Sequence, residues 1–464
     1  MKVTLVRPNY YSHLVTPPLG LGYLASFLKE KGYQVEIIDA LNSGFSVTKI
    51  VNLCQGTDLV GINCLSAYFL EVKKLSRELK RRKFTVVIGG PHASALPELT
   101  LEETRADYVI TGEGELPLWQ LVESIANNCS SEDIPGVMTK KKQNNGKGRL
   151  IENLDSLPYP DWEQIDPSTY KKAPHGGLIK TFPVAPIIST RGCPFECTFC
   201  ASPFLWERKI RFRSPENVVG EIEYLCKNFG VKEIHFEDDN LTLKKDHVTA
   251  ICRLMINKKI KVNWATPNGV RADTLDREIL MLMKRSGCYF IALGIESGSQ
   301  EILNRVKKRT DLGTVERVVR LAKEVGIITQ GFFVFGLPGE SDQTVRETIR
   351  FAKRIPLDKA QFLILDLLPG SELWNELHRG QPMYWGYKSY QEATWVSEGL
   401  DKERLNSVPG YAFRSFFFRP RQMIFLLKYF KFRQIPFIIQ RVVDFNIFPF
   451  LKPLVKKEAI CRNT

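Results

Sequence analysis

The sequence has no run of about 18 uncharged apolar residues, the length that a membrane-spanning helix needs, so no segment is predicted to cross a bilayer. Its ten cysteines form no paired framework and its six histidines are scattered, which argues against a disulfide-stabilised secreted protein. Residues 1–8 have the pattern of a first β-strand and lack the charged start and apolar core of a secretory signal. These absences predict a cytoplasmic protein whose thiols stay reduced.

Acidic residues are scarce toward the end of the chain. The net charge is +14 over 464 residues, and residues 401–464 contain 13 Lys or Arg against 4 Asp or Glu. The same segment holds 11 of the 28 phenylalanines. A hydrophobic content of 44% and a charged content of 25% are those of an ordinary globular chain, long enough for two or three domains.

Three of the cysteines lie close together in the segment 191–200, RGCPFECTFC. Cys193, Cys197 and Cys200 have the spacing C-x3-C-x2-C, with an aromatic residue before the last of them. Iron–sulfur clusters are held by Cys thiolates, and three local thiolates leave one iron of a four-iron cluster without a protein ligand. An open coordination position is typical of a catalytic metal site. A structural zinc site needs four ligands, and no second Cys or His pair follows.

This motif resembles the cluster motif of the radical S-adenosylmethionine (SAM) superfamily. The resemblance implies a [4Fe-4S] cluster bound by Cys193, Cys197 and Cys200. In that family the free iron chelates SAM, and one electron from the cluster cleaves SAM to a 5'-deoxyadenosyl radical. A low-potential electron donor such as flavodoxin or ferredoxin is therefore expected as a partner.

The first 130 residues alternate strands and helices with short connections, which is the pattern of a doubly wound parallel sheet. The predicted strands are Lys2–Arg7, Val35–Asp39, Leu59–Cys64, Thr85–Gly89 and Tyr108–Thr111. Ligands of such sheets bind in the crevice outside the carboxyl ends of the strands. Short polar or Gly-rich segments follow several of these strands, so a ligand crevice is predicted there.

Three N-terminal segments resemble the cobalamin-binding domain found in one class of radical SAM enzymes: TPPLGLGYLA at 16–25, GGPHA at 89–93 and GEGE at 112–115. The resemblance implies a Rossmann-like cobalamin domain over residues 1–130. Its expected cobalamin contacts are Pro18, Gly20, Ser66, Gly89, Gly90, Gly112 and Glu113. The D-x-H-x-x-G motif that supplies a His to cobalt in other proteins is absent, so no protein ligand to cobalt is expected. A Rossmann-like domain that only packs against its neighbour is the alternative.

A second series of strands and helices is predicted over residues 184–371, after a linker at 131–183 that is partly Pro-rich and includes an exposed loop at 140–147. Its predicted strands are Val184–Thr190, Glu233–Glu237, Val262–Ala265, Tyr289–Gly294, Thr329–Phe335 and Ala360–Asp366. Six strand–helix units predict an α/β fold with a partial (β/α)6 barrel, whose functional residues collect at the carboxyl ends of the strands. Residues 372–464 are predicted to form a C-terminal helical extension.

Polar and glycine residues at the ends of these strands are the candidates for holding SAM. The expected SAM contacts are Glu237, Asp238, Arg271, Glu296, Ser297 and Gly336. The first two belong to an acidic run that needs a cation or hydroxyl partners, or else is a solvated loop. The arginine is suited to clamp the SAM carboxylate or, equally, to form an internal salt bridge. By resemblance to the family, the 296–297 pair lies against the ribose or amino group of SAM, and the last glycine belongs to the segment that supports adenine.

The basic and aromatic tail has several interpretations. The favoured one is that its helices pack on the barrel wall and leave a solvated basic side. The alternatives are a cap over the active site or peripheral contact with an anionic membrane. Nucleic acid is not expected as a partner, because no recognised RNA-binding module follows the barrel.

The resemblance predicts an enzyme, and the intact cysteine motif argues against an inert binding or maturation protein. The favoured reaction is methylation of an unactivated carbon, or of phosphinate phosphorus, in a small-molecule or natural-product substrate. In the family, one SAM methylates cobalamin and a second yields the radical. Oxidative cyclisation or rearrangement, with cobalamin as a redox partner, is the alternative. Methylthiolation is a lesser one, since it needs three more N-terminal cysteines and only Cys54, Cys64 and Cys129 are available.

Overall fold

The computed structural model describes residues 1–12, 14–141, 146–171, 179–378, 392–429 and 439. The strands of its first sheet are β1 Lys2–Arg7, β2 Gln34–Asp39, β3 Leu59–Asn63, β4 Val86–Gly89, β5 Tyr108–Ile110 and β6 Val137–Thr139. Their order is β2-β1-β3-β4-β5-β6, and all neighbours are parallel except β6, which is antiparallel to β5. The sheet therefore takes a strand from beyond residue 130, inside the segment that the sequence assigned to the linker.

Helices cover both faces of this sheet. They are α1 Leu19–Glu30, α2 Ala40–Ser43, α3 Val47–Leu53, α4 Phe69–Arg81, α5 Pro91–Ala95, α6 Pro97–Thr104 and α7 Glu115–Ala126. Side chains alternate across a strand, so Leu5 packs in the apolar cluster with α1 and α7, while Val6 packs in the one with α3 and α4. A strand that is buried on both faces has a continuous apolar sequence. This is why β1 is predicted with its observed bounds, and the doubly wound prediction is confirmed.

The second sheet is entirely parallel and open, as a partial barrel requires. Its strands are β7 Val184–Ile187, β10 Glu233–Phe236, β11 Asn263–Val270, β12 Cys288–Glu296, β13 Ile328–Phe335 and β14 Lys359–Ile364. Their spatial order follows the chain from β7 to β14. A separate antiparallel hairpin, β8 Thr190–Arg191 with β9 Arg211–Phe212, lies between β7 and the rest of the sheet in sequence.

Helices follow the strands of the second sheet and continue beyond it. They are α8 Ser202–Trp206, α9 Pro215–Phe229, α10 Lys245–Asn257, α11 Arg277–Arg285, α12 Gln300–Arg305, α13 Leu312–Val325, α14 Asp342–Arg354, α15 Glu372–Leu377, α16 Lys402–Phe417 and α17 Pro420–Tyr429. Several begin at a Ser or Asp whose side chain accepts a hydrogen bond from the backbone N–H three residues later, as Ser214 does for α9 and Asp276 for α11. Short 3-10 helices lie at Ser66–Tyr68, Leu154–Ser156, Pro167–Thr169 and Ala272–Thr274.

The C-terminal helix α16 packs on the barrel through aromatic contacts. The ring of Phe362 in β14 lies 5.4 Å from that of Phe413 and 6.2 Å from that of Phe416. For α16 the structure thus shows the packing that the sequence analysis favoured. Among the described residues, every helix is too short or too polar to cross a lipid bilayer.

One prediction for the linker needs correction, although residues 142–145 lie outside the described ranges. Lys147 is half-buried instead of solvated. Its ammonium lies 3.6 Å from the ring centroid of Phe204 and donates to the carbonyl oxygen of the same residue at 2.5 Å. The end of the predicted loop therefore packs against α8, directly after the cysteine motif.

Candidate active site

The cysteine motif forms a loop between β8 and α8, near the carboxyl end of β7. Backbone hydrogen bonds fix its centre: the N–H of Thr198 donates to the carbonyl of Val306 (3.1 Å), and the N–H of Leu373 donates to the carbonyl of Thr198 (2.9 Å). Phe199, the aromatic residue before the last cysteine, packs against the apolar cluster that contains Val306 and Leu373. The conformation of the loop is therefore set by two distant parts of the barrel.

The glycine before the first cysteine is required by the packing of the hairpin. Gly192 has a φ of +106°, and a Cβ at this position would lie 2.0 Å from the carbonyl oxygen of Lys209. Only glycine fits without a movement of the backbone. This explains the RGC sequence at the start of the loop.

The three thiols of the motif are half-buried. Burial raises the pKa of Cys193 and Cys197, and it raises that of Cys200 to about 12. A backbone N–H from Ser202 donates to the sulfur of Cys200 at 3.4 Å. Burial disfavours the thiolate form, and bound iron would supply the positive charge that stabilises it. Among the described residues, no three Cys, His, Asp or Glu side chains form a closed metal site as they stand, so cluster ligation stays a prediction.

A buried ion pair that the sequence analysis missed lies near Cys197. Lys308 is 7% exposed, and its ammonium is 2.8 Å from Oε1 of Glu296. Burial raises the pKa of the Cys197 thiol, and the Lys308 charge partly opposes that rise. Glu296 is predicted from sequence to contact SAM, whereas here a cation of the protein binds its carboxylate. Lys308 belongs to the basic run 307–309. The sequence does not distinguish a buried lysine in such a run from solvated surface lysines.

Arg271, which the sequence leaves as either a SAM clamp or an internal salt bridge, has several partners within the protein. Its guanidinium pairs with both oxygens of Asp273, at 3.0 and 2.7 Å, and donates to the carbonyl of Lys308 at 2.8 Å. The same group lies 3.7 Å from the ring centroid of Phe195 in the cysteine loop. The arrangement favours the internal salt bridge over the SAM clamp. Arg271 thus contacts the cysteine loop from the barrel side, through the ring of Phe195.

The acidic run after β10 divides into two environments. Asp238 is 2% exposed and accepts hydrogen bonds from the hydroxyls of Ser189 and Thr190, each at 2.7 Å. Burial raises the pKa of Asp238, and these hydroxyls are the partners that the crowded acids require. Glu237 and Asp239 instead line a cavity between the two sheets. Of the two predicted SAM contacts, only Glu237 reaches that cavity.

Ser297 and Gly336 are held by contacts within the barrel. The hydroxyl of Ser297 shares a hydrogen bond with that of Thr348 in α14 at 3.1 Å. The N–H of Gly336 donates to the carboxylate of Glu340, and a Cβ at Gly336 would lie 3.0 Å from Leu405 of α16. Neither residue lines the cavity between the sheets, so their predicted contacts with SAM gain no support from its geometry.

The cavity has a volume of about 300 Å³ and lies between the carboxyl ends of the first sheet and the start of the barrel. Six predicted cofactor contacts line it: Gly20, Gly89, Gly90, Gly112, Glu113 and Glu237. From the barrel side, Arg191, Trp206 and Asp239 complete the wall, although the sequence analysis assigned them no role. The crevice predicted for cobalamin and the polar strand end predicted for SAM thus share one space.

Two predicted cobalamin contacts lie outside this wall. Pro18 is the N-cap residue of α1, and its carbonyl accepts the first helical hydrogen bonds. The Ser66 hydroxyl is 2.9 Å from Nδ1 of His92, whose ring stacks on Phe69 at 4.3 Å. Burial lowers the pKa of His92 to about 4. His92 is 1% exposed and therefore lies beneath the surface of the sheet edge.

Two family models match the chain: the radical SAM superfamily over residues 187–352 and the B12 binding domain over residues 11–122. An uncharacterized methyltransferase of Pyrococcus horikoshii is 31% identical over 445 residues, covering 91% of this chain and 94% of that protein. The cytidylyl-2-hydroxyethylphosphonate methyltransferase of Streptomyces wedmorensis is 30% identical and covers 82% of each chain. An anaerobic magnesium-protoporphyrin IX monomethyl ester cyclase of Rubrivivax gelatinosus is 28% identical over 81% of this chain and 70% of that protein.

The fold is that of TsrM from Kitasatospora setae, a radical SAM methyltransferase solved with cobalamin and a [4Fe-4S] cluster bound. The TM-score is 0.69 at 21% identity, over 82% of this chain and 75% of that chain. This chain belongs to the radical SAM superfamily, in the branch that carries a B12-binding domain. The predicted fold class and enzyme class, a radical SAM methyltransferase, are confirmed. The predicted cofactors, a [4Fe-4S] cluster, SAM and cobalamin, are those of the family.

Proposed function

We propose that this chain transfers a methyl group to an unactivated carbon, or to phosphinate phosphorus, of a small-molecule or natural-product substrate. The observation that carries this proposal is the cavity walled by both sheets, with the Gly-rich turns on one side and Glu237 on the other. When bound, the cluster supplies the electron that cleaves SAM, and cobalamin carries the methyl group. The chain itself supplies the cavity wall from both sheets, with the cysteine loop beginning two residues after Arg191 of that wall.

We assign the residue roles as follows. Cys193, Cys197 and Cys200 hold the cluster, with Lys308 as a fixed positive charge near the middle thiolate. Gly20 and Gly89 make room for the corrin ring, because a side chain at either position would extend into open space at the cavity wall. Glu237, at the end of β10, faces the shared space on the barrel side.

We also propose the four units predicted from the sequence. They are a cobalamin-binding domain at 1–130, a linker at 131–183, a partial barrel at 184–371 and a helical extension at 372–464. Strand β6, which comes from the linker, completes the first sheet. Residues 379–391 and 430–464, apart from 439, lie outside the described ranges.

The ratio of products tests the methyl-transfer proposal. A methyltransferase of this kind uses SAM by two routes and is expected to form S-adenosylhomocysteine and 5'-deoxyadenosine in about equal amounts. Anaerobically reconstituted protein, given SAM, cobalamin and a low-potential reductant, should show both products by mass spectrometry even in slow turnover without the true acceptor. Formation of 5'-deoxyadenosine alone, with reduced cobalamin bound, would refute methyl transfer.

That second outcome would favour oxidative cyclisation, which is the alternative function. The cyclase of R. gelatinosus aligns with most of this chain, and this similarity supports oxidative cyclisation as the alternative function. Methylthiolation has less support, since Cys54 and Cys64 are fully buried while Cys129 is exposed. Three cysteines in such different environments are poorly suited to share a second cluster.

The partners follow from the proposed chemistry. A small molecule is the substrate, and a low-potential protein such as flavodoxin or ferredoxin supplies electrons in the cytoplasm. No nucleic acid takes part. We further propose that helix α17, beyond the packed α16, contacts an anionic membrane surface.

Exposed apolar residues on the last described helix support membrane contact. Phe418 is 60% exposed, just before α17, and Met423 and Ile424 within it are 44% and 66% exposed. Arg421 and Lys428 belong to the same helix, which is the composition of a helix that lies in a membrane interface. The sequence that follows, 430–464, contains seven Lys or Arg against two Asp or Glu, and only residue 439 of it is described.

Substitution of both Met423 and Ile424 by Glu is expected to abolish cosedimentation with vesicles that contain phosphatidylserine. The new charges would have to enter the apolar layer, where burial of an unpaired carboxylate is costly. Met281→Glu in α11 is the matched control, because Met281 is 48% exposed on another helix and should be silent. Equal sedimentation of the double variant and the wild type would contradict membrane contact through α17.

A further inference from the structure

Two arginines on the hairpin that leads into the cysteine loop bind one carboxylate of the first domain. Arg191 and Arg211 are directly opposite each other in β8 and β9. Oε1 of Glu113 accepts from Arg191 at 2.7 Å, and Oε2 accepts from Arg211 at 2.6 Å. The other terminal amine of Arg191 is 2.7 Å from Oε1 of Glu115. The backbone N–H of Ile151 completes the set by donating to Glu113 at 2.7 Å.

Glu113, a predicted cobalamin contact, is held by this network. The residue lines the cavity, but both of its carboxylate oxygens are engaged by protein donors. Burial opposes the charges, yet Arg191 and Arg211 lower the pKa of Glu113, and Glu115 together with Glu113 raises that of Arg191. All four side chains are at most 10% exposed.

A buried ionic network of this kind needs a reason other than stability. Well-packed apolar residues would often stabilise a fold as much or more, because desolvation of the charges offsets their attraction. Directional pairing does fix geometry, and a guanidinium that bridges two carboxylates fixes it more tightly than a point charge. The network is therefore best suited to hold the domains in register.

The location of Arg191 shows which parts of the two domains the network holds together. Arg191 lies two residues before Cys193, while Glu113 and Glu115 form the turn after β5 that lines the cavity. The guanidinium of Arg191 also lies 5.1 Å from the ring centroid of Tyr23, another residue of the cavity wall. One side chain thus connects two walls of the predicted cobalamin crevice to the start of the cluster loop.

We infer that Arg191 is a positioning residue that couples the two cofactor sites. Binding of the cluster to the cysteine loop then strengthens cobalamin binding, and bound cobalamin strengthens cluster binding. The inference rests on the proposed function, since it needs both cofactors. By linkage, each cofactor must change the affinity for the other by the same factor. Loss of the bridge should remove this factor while leaving each site able to bind.

Cobalamin affinity is measured by optical titration of the full chain, once with the cluster reconstituted and once after anaerobic removal of iron by a chelator. In the wild type, we expect the cluster to tighten cobalamin binding by about 10-fold, within the usual range of coupling. In Arg191→Lys the ratio should fall to near one, because a single ammonium lacks the two separate terminal nitrogens with which Arg191 reaches Glu113 and Glu115. Cluster content, from iron and sulfide analysis, should stay near the wild-type value.

Arg7→Lys is the matched control. Arg7 forms an equally buried ion pair with Asp39, at 2.6 Å and 10% and 8% exposed, but within the first domain. This variant should lose stability and keep the 10-fold ratio. If Arg191→Lys does not fold, Glu115→Gln removes one arm of the bridge and should lower the ratio to about 3-fold.

Two results would overturn the inference while the proposed function stands. One is a wild type in which both cofactors bind without any effect on each other. The other is an Arg191→Lys protein with the wild-type ratio. Absence of cobalamin uptake, or of the cluster, in the wild type would overturn the proposed function as well.

Discussion

Replacement of Cys193, Cys197 or Cys200 by Ala is expected to abolish reductive cleavage of SAM. Two thiolates do not hold a four-iron cluster with one iron left open, so each single variant should lose the cluster. The loss should exceed about 100-fold, because even residues that only orient metal ligands are worth about 10–100-fold. Iron and sulfide analysis, the electron paramagnetic resonance of the reduced protein and the yield of 5'-deoxyadenosine measure it.

Other cysteines of the chain provide matched controls. Cys226 in α9 is half-buried, as the three cysteines of the motif are, and Cys129 is exposed. Replacement of either by Ala should leave iron content and SAM cleavage unchanged. Cys252 and Cys288 are buried, so their Ala variants should lose stability but keep the cluster. A cluster content near the wild-type value in the triple Ala variant of the motif would refute the assignment.

Substitution of Gly89 by Leu is expected to abolish cobalamin uptake and to leave the cluster intact. Gly89 lines the cavity, and a Cβ there would meet only Ile110, at an ordinary contact distance of 3.8 Å. The backbone therefore accepts the substitution, and the larger side chain must extend into the cavity of about 300 Å³. Gly20→Leu should act in the same way, since no atom lies within 4 Å of a Cβ at that position.

The neighbouring glycines are not equivalent targets. A Cβ at Gly90 would lie 2.7 Å from the carbonyl oxygen of Cys64, and Gly90 and Gly112 have φ values of +111° and +79°. Substitution there costs about 1–3 kcal/mol of backbone strain, so lost binding would reflect damage to the fold. Optical titration with hydroxocobalamin, alongside circular dichroism and iron content, separates the two effects. Normal cobalamin uptake by Gly89→Leu and Gly20→Leu would refute the assignment of this cavity as the cobalamin site.

Strand positions could be predicted wherever burial makes the sequence continuously apolar. β1 and the end of β13 lie where the sequence places them, because both strands are covered by helices. β11 is the informative exception: it is predicted to end at Ala265 and continues to Val270. Its register against β12 shifts between Thr266 and Val270, where Pro, Asn and Gly interrupt the apolar pattern. An irregular strand end of this kind does not follow the periodicity on which strand prediction relies.

The sequence signal for cofactor contacts differs between glycines and charged residues. Several glycines of the first domain line the cavity. A glycine that follows a parallel strand lies at the ligand crevice of such a sheet, so its position could be predicted without the rest of the fold. Arg271 and Glu296, two candidates for SAM contact, each pair with a charged side chain of the protein. A charge at a strand end has the same sequence signal whether its partner is a ligand or another side chain.

The sequence by itself determined the class of this protein. The cysteine spacing lies within one short loop, and the Gly-rich turns each lie within a few residues, so local sequence contains the whole signal. Only the tertiary structure decided which charges meet. Arg191 and Glu113 are 78 residues apart, and Arg271 and the Lys308 carbonyl are 37 apart. Burial of a charge requires a partner close in space, and that proximity is created by the packing of two sheets rather than by neighbouring residues in the chain.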